Sequence, residues 1–502
     1  MVYNVPVAGI ERKLYQLIIA RLDGERLSSR AYREETFGLV RKGIGGFVVF
    51  GGVRDELREF VGGIQSMAEV PLFIASDIEQ GVGQQVSGTT GFPPQMAVAA
   101  AIDRENPGDV ELLRRFLQAV ADEAAGTGIN MPLIPVLDVN QDPDNPIICT
   151  RAFSDSPEAV AWFGSEYVRT LEGAGLISCA KHFPGHGDSS TDSHVSLPVI
   201  DKPLEELMST DVLPFEAAVR AGVSSIMVGH LGVTAVDPRP ATLSEKIITG
   251  LLRTELSFDG LILTDALCMD ALCGIPDVAA GCVEAGVDLL LHPADPDSAV
   301  RELAAALEAG RIEPGRVDAA LERIQRFKAR LTEMDEHEVD YDEHAALSSL
   351  LAEKSITLVK GHPVEGSPFV PLLGNERKTR VVIAGEVELF EESHWRRLSD
   401  DDVRGAGNEA LDTVVVAVFG SIAAWKGHSG IDETEKGRIR EIVRRAKRSV
   451  VVSFGSPYVL RHFWDADILI AAYGASGQAQ RAVVDCLRGE ADLRGRLPVD
   501  IV

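Results

Sequence analysis

Nowhere in the 502 residues does an apolar run approach the ~18 consecutive residues that a membrane-spanning helix requires, which argues against a membrane partner. Cysteine is scarce. The six lie at 149, 179, 268, 273, 282 and 486, with no CxxC pair and several inside apolar runs such as LISCAKH, so reduced core thiols are expected rather than a disulfide framework. Basic residues are in the minority, 49 against 76 acidic ones, and the net charge of -27 is scattered along the chain. That balance excludes nucleic acid as a partner, while a local basic pocket can still accept a charged ligand. The amino-terminal MVYNVPVAGIERKLYQLIIARL carries Glu11, Arg12 and Lys13 before a short amphipathic pattern and does not read as a targeting segment, so a cytoplasmic location is expected. Neither a sequence repeat nor a low-complexity tract is visible.

What the chain does have is short apolar runs alternating with amphipathic stretches. GGFVVFGG (45–52), VPLFIASD (70–77), INMPLIPVLDV (129–139), LISCAKHF (176–183), SSIMVGH (224–230), LILTDAL (261–267) and VDLLLHP (287–293) read as buried parallel strands. Between them PEAVAWFGSEYVRTLEGAG and PLEELMSTDVLPFEAAVRAG read as helices ending at glycine. Strand and helix repeated about eight times predict a (β/α)8 TIM-type barrel over residues 1–335. The acidic TEMDEHEVDYDEHAA lacks apolar periodicity, and a linker is expected at 336–350. A smaller α/β sandwich domain is then predicted over 351–502, with SITLVKG, RVVIAGEV, TVVVAVFG, SVVVSFG and DILIAAYG as strands and ETEKGRIREIVRRAKR as a helix between two of them.

In such a barrel the chemistry sits where strands end, so the residues closing the apolar runs are the informative ones: Asp77, Asp138, Lys181 with His182, His230, Asp265 and His292. Together they describe a polar pocket. Asp265 follows LILT, which would hold its carboxylate rigidly at the mouth as a nucleophile or, alternatively, as the cap of the next helix. The segment KHFPGHGDSSTDSH divides at Pro184: Lys181 and His182 end a strand, and GHGDSSTDSH is too rich in Gly, Ser and Asp to be regular. Asp192 and His194 are two apart, so in an extended segment they face the same side. There a carboxylate fixes the imidazole tautomer and raises its pKa, giving a proton donor and acceptor near neutral pH. His186 reads as loop packing, with Gly185 and Gly187 supplying positive φ. A zinc site built from His182, His186, Asp188, Asp192 and His194 is the rival reading, weakened because Pro184 and Gly185 interrupt any helix that would aim two imidazoles at one ion. A serine nucleophile lacks its GxSxG elbow.

At these residues the sequence resembles glycoside hydrolase family 3, and within it the β-N-acetylglucosaminidases. KHFPGHGDSSTDSH is similar to their signature nearly residue for residue, and SDIEQG, TRAFSDSPEAV, MVGHLGVTAVDPRPATLS, LILTDALCM and the terminal GRLPVDIV follow in order. The resemblance implies a retaining exo-glycosidase in which Asp265 forms a glycosyl-enzyme and His194, oriented by Asp192, is acid then base; no cofactor and no metal are expected. A neutral imidazole repels an anion less than a carboxylate would, so phosphate is a conceivable second acceptor. By position, Asp77, Arg151, Lys181 and His182 would hold the terminal N-acetylglucosaminide, with His230 and Met269 lining the pocket. The partner is thus a small glycan, whether a cell-wall muropeptide, a chitin fragment or a glycoconjugate, and the protein a monomer or homodimer engaged in cell-wall recycling. Two departures stand out: DIEQGVGQQV offers Gln84 and Gln85 where the family pattern has arginines, and TDAL places Ala266 where a second aspartate is usual. The competing readings are a family 3 β-glucosidase using Glu433 or Glu435 of IDETEK as acid/base, and a barrel that binds glycans without turning them over.

Overall fold

The protein is described here by a computed structural model, which covers residues 9–189, 197–333, 339–361, 379–389, 411–420 and 431–501. It is of the α/β class. By its internal contacts the chain divides into two units, the first made of 1–91, 114–139 and 156–341, the second of 92–113, 140–155 and 342–502. The division follows packing rather than chain order: two short segments from the first third of the sequence belong with the carboxy-terminal unit. The stretch expected as a linker at 336–350 contains the start of a helix, Tyr341–Ser355.

The first unit is a curled parallel sheet. Its strands are β1 (Ile18–Asp23), β2 (Gly46–Phe50), β3 (Phe73–Ser76), β4 (Met131–Pro132), β5 (Cys179–Phe183), β6 (Ser225–Val228), β7 (Leu261–Thr264) and β8 (Leu290–Leu291). One sheet runs β8-β1-β2-β3-β4 and another β7-β6-β5, all in parallel register. Isolated bridges Val136↔Lys181 and Leu263↔Leu289 join them at either side. The strands are almost wholly buried, as sheets covered by helices on one face and filled on the other must be. β4 is short for a reason of composition: Pro132 and Pro135 have no N–H to give to a ladder.

Helices cross between the strands and carry ordinary caps. Ser156 accepts the Ala159 N–H at the start of Pro157–Gly173, and Asp295 accepts from Asp297 and Ser298 at the start of Pro296–Glu308. PLEELMSTDVLPFEAAVRAG forms two helices rather than one, Leu204–Ser209 and Leu213–Ala221. Pro214 cannot continue the first but is at home in the opening turn of the second, which Gly222 closes in the left-handed conformation at φ 93°.

The second unit holds a five-stranded sheet: Thr357–Lys360, Ile468–Ala471, Ala446–Phe454, Leu411–Phe419 and Thr379–Gly385, in that spatial order, parallel except for the first pair. Side chains alternate strictly. Val414, Val416 and Val418 pack into one apolar cluster and Val415, Ala417 and Phe419 into another, so both faces of the sheet are buried. The helix between two strands is Glu433–Arg445, capped by Asp432.

Candidate active site

Several strands of the first unit carry polar residues at or just beyond their carboxyl ends, and some of these side chains interlock. On β5, Lys181 is 1% exposed and its Nζ lies 2.6 Å from Asp77 Oδ1 and 2.7 Å from Glu79 Oε1. A buried ammonium is stable only when paired in this way. Glu79 is buried, while Asp77 remains partly exposed and is the face of the trio that a ligand can reach.

His182, one residue on, is tied to the end of the β4 segment. Its Nδ1 lies 2.7 Å from Oδ2 of Asp138, a carboxylate with no exposed surface. The other oxygen of Asp138 accepts the backbone N–H of His186 at 2.6 Å. Burial by itself would raise the Asp138 carboxyl; the His182 charge and these hydrogen bonds outweigh it and hold the group below the usual carboxylate range. An ionised acceptor on Nδ1 puts the proton there, leaving Nε2 as the accepting nitrogen of the ring. The His186 ring is fully buried, and that burial pushes it down to about 4.

The backbone after His182 is shaped by close approach. Gly185 has φ 136° and its Cβ position would fall 2.6 Å from Asp211 Cβ. Gly187 does not have the positive φ expected of it; a side chain there would strike the Val139 carbonyl oxygen at 1.7 Å, so what requires glycine is contact between two loops. Asp188 is anchored by Lys202, whose Nζ is 2.9 Å from both Asp188 Oδ2 and the buried Asp211 Oδ2. Asp192 and His194 lie outside the described residues.

Asp265 ends β7. Its N–H donates to the Val228 carbonyl at 2.9 Å, and its Oδ1 accepts the Ala266 N–H at 2.7 Å. His230, ending β6, places Nε2 3.1 Å from the Ala266 carbonyl oxygen and Nδ1 3.0 Å from Thr242 Oγ1. Met269 is buried and its N–H donates to that same carbonyl at 3.2 Å. Arg151 lies in the second unit, in the turn Cys149–Arg151, with Nη1 3.0 Å from the Ile147 carbonyl and its own carbonyl accepting from Gln95.

Between Asp265 and Asp77 the strand ends form a wall that the motifs do not announce. His292 follows β8 with φ 46°, its Nδ1 3.5 Å from Cys268 Sγ and its ring 5.8 Å from Phe50. Arg21 on β1 lies 4.7 Å over the Phe50 ring. Register alone puts Arg21 and Asp23 on the same side of the sheet as Val48 and Phe50. The signal was present as LIIARLD, an apolar run ending in charge, but hidden behind the amphipathic start of the chain. Gln85, in the place of an expected arginine, does local work: its Nε2 donates to the Asp77 carbonyl at 3.3 Å and its Oε1 accepts the Gly51 N–H at 3.4 Å. The glutamates of IDETEK serve the second unit, Glu433 paired with Lys436 and Glu435 accepting the Gly385 N–H.

Comparison with known proteins identifies the family. The chain is 27% identical to beta-hexosaminidase A of Pseudoalteromonas piscicida over 87% of its own length and 84% of that protein. It is 29% identical to the beta-N-acetylglucosaminidase/beta-glucosidase of Cellulomonas fimi, over 87% and 85%. A solved glycoside hydrolase family 3 beta-N-acetylglucosaminidase from Paenibacillus sp. str. FPU-7 superposes with a TM-score of 0.82 at 28% identity, over 98% of this chain and 99% of that one. The family model described as glycosyl hydrolase family 3 N terminal domain matches residues 9–327, and the protein therefore belongs to glycosyl hydrolase family 3 and is a glycoside hydrolase.

Proposed function

We propose that the protein is a retaining exo-β-N-acetylglucosaminidase working on a (β/α)8 barrel of residues 1–335, linked through 336–350 to an α/β domain of 351–502. The observation that carries this reading is the Asp265 carboxylate, held at a strand end by the Ala266 N–H, on the same rim as the Lys181–Asp77–Glu79 trio and the Asp138–His182 pair. The ring of parallel pairings from β1 to β8 supports the barrel, and the names carried by the relatives support the acetamido sugar.

Asp265 attacks the anomeric carbon, forming a carbon–oxygen bond to its carboxylate as the bond to the aglycone oxygen breaks. His194, oriented by Asp192, delivers a proton to that oxygen. Water then gives its proton to His194 and attacks the same carbon, releasing Asp265; two inversions restore the starting configuration. Phosphate in place of water would yield a sugar 1-phosphate. Asp77, Lys181 and His182 hold the ring hydroxyls, with Arg151 and Met269 assigned to the same sugar. Cytoplasmic turnover of cell-wall fragments, by a monomer or homodimer, is the setting we infer from the acidic composition and the sugar.

The test is kcat/KM on 4-nitrophenyl β-N-acetylglucosaminide against the matching glucoside, each with and without phosphate. Preference for the acetamido sugar upholds the reading, and phosphate-dependent formation of sugar 1-phosphate identifies a phosphorylase. Preference for glucose with full activity in His194→Asn would move the acid/base away from the Asp192–His194 loop.

A further inference from the structure

We propose that His230 is a positioning residue for the nucleophile and not a ligand of the sugar, an inference that rests on Asp265 being the nucleophile. The imidazole has no exposed surface, and each of its nitrogens is within hydrogen-bond distance of a protein atom. A carbonyl oxygen can only accept, so the 3.1 Å contact to Ala266 fixes the hydrogen on Nε2. With the ring neutral, Nδ1 accepts, and the hydroxyl of fully buried Thr242 donates to it across 3.0 Å. Thr242 thereby selects the tautomer that His230 needs in order to hold Ala266.

Ala266 is the link to the chemistry. Its carbonyl takes the His230 Nε2–H and the Met269 N–H on its two lone pairs, while its own N–H is donated to Asp265 Oδ1 at 2.7 Å. The residue is fixed at both ends, and the donor that orients the Asp265 carboxylate is fixed with it. The neighbouring Asp265 and Leu267 N–H groups are tied to Val228 and Leu291 on the flanking strands. Losing the imidazole donor leaves the Ala266 carbonyl with the Met269 N–H alone and loosens the residue whose own N–H orients the carboxylate. Misplacement of a reacting group by about 1 Å costs on the order of 100-fold in rate. An alanine suffices at 266 because the backbone makes every one of these contacts.

The experiment uses His230→Asn, His230→Gln and Thr242→Val in the full chain. Asparagine reaches only the Nδ1 position, whereas glutamine can present an amide N–H near that of Nε2. Three quantities are measured for each: the single-turnover rate of glycosyl-enzyme formation with 2,4-dinitrophenyl β-N-acetylglucosaminide at saturation, the dissociation constant of N-acetylglucosamine by calorimetry, and Tm. We expect His230→Asn to slow glycosylation by roughly 10- to 100-fold with sugar affinity within about twofold of the parent. Glutamine should recover most of that loss, and Thr242→Val should fall between. A weakened sugar affinity with an unchanged single-turnover rate would make His230 a sugar ligand and overturn the proposal; so would identical rates in the asparagine, glutamine and parent proteins. Should the His230 variants unfold, Thr242→Val alone decides, since loss of its hydroxyl must slow glycosylation without touching affinity. A parent protein that turns over only glucosides overturns the acetamido assignment and not this one, and the same variants are then read on the glucoside.

Discussion

The carboxylate of Asp138 binds a strand residue and the loop that follows it, the ring of His182 at 2.7 Å through Oδ2 and the main chain of His186 at 2.6 Å through Oδ1. One buried charge thus sets both the tautomer of the His182 imidazole and the path of the chain that follows.

Asp138→Asn retains the shape but presents an amide N–H toward Nδ1, reversing the tautomer of His182. We expect kcat/KM to fall about 10- to 100-fold, mostly in KM, with a displaced acidic limb in the pH–rate profile. Asp138→Ala should in addition lower stability by roughly 3 kcal/mol, because the donors of His182 and His186 are left without their acceptor. Urea unfolding with an unchanged slope would measure it, and a loss below about 1 kcal/mol would contradict the role assigned to the fork.

Asp77 and Glu79 share the Lys181 ammonium but not its exposure. Asp77→Asn is expected to lower kcat/KM by at least about 100-fold, since the partly exposed carboxylate is the member we propose as the sugar ligand, while Glu79→Gln, still an acceptor for Lys181, should stay within about fivefold. Equal losses in the two variants would place the sugar elsewhere.

His186 gives the protein an acid-sensitive term. Its folded pKa of about 4 lies below the ordinary value of 6.5, so between these pH values the unfolded chain binds more protons than the folded one. Stability contributed by the neutral ring is complete above pH 6.5 and declines as the pH falls toward 4, by an amount on the order of 3 kcal/mol. His186→Gln should flatten that part of a Tm-against-pH curve while leaving the region above pH 7 nearly unchanged.

Asp265→Gly removes the proposed nucleophile and should reduce turnover at least 10⁴-fold. Added azide should restore part of it and yield a glycosyl azide of inverted configuration, identifiable by proton NMR coupling at the anomeric position. Retained configuration, or a residual rate insensitive to azide, would remove Asp265 from the role.

Much of this geometry is legible in the linear order of the residues. Apolar runs that stop at a charge mark strand ends, and Asp77, Lys181, His182, His230, Asp265 and His292 all sit at or beside them, with Asp138 two residues past the Val136 bridge. What stayed hidden depended on relations the linear order does not carry. β1 follows a helix within two residues and has no turn signal, so Arg21 passed unnoticed. Nothing in SDIEQG sets Glu79 apart from its polar neighbours; its part lies in the Lys181 ammonium it shares with Asp77. His230 showed ligand chemistry in sequence, and only distances reveal that its nitrogens are engaged by Thr242 and Ala266. Arg151 was expected beside a barrel strand, but its segment, 140–155, packs with residues two hundred positions further on.

The pairing of Ile18 with Leu290 closes the sheet between the earliest and the latest strands of the first unit. During synthesis, Asp77, Asp138, Lys181, His182 and Asp265 all leave the ribosome before β8 does, yet β1 stays an open edge until that strand arrives. A nascent chain therefore carries every one of these groups while having no finished rim to hold them.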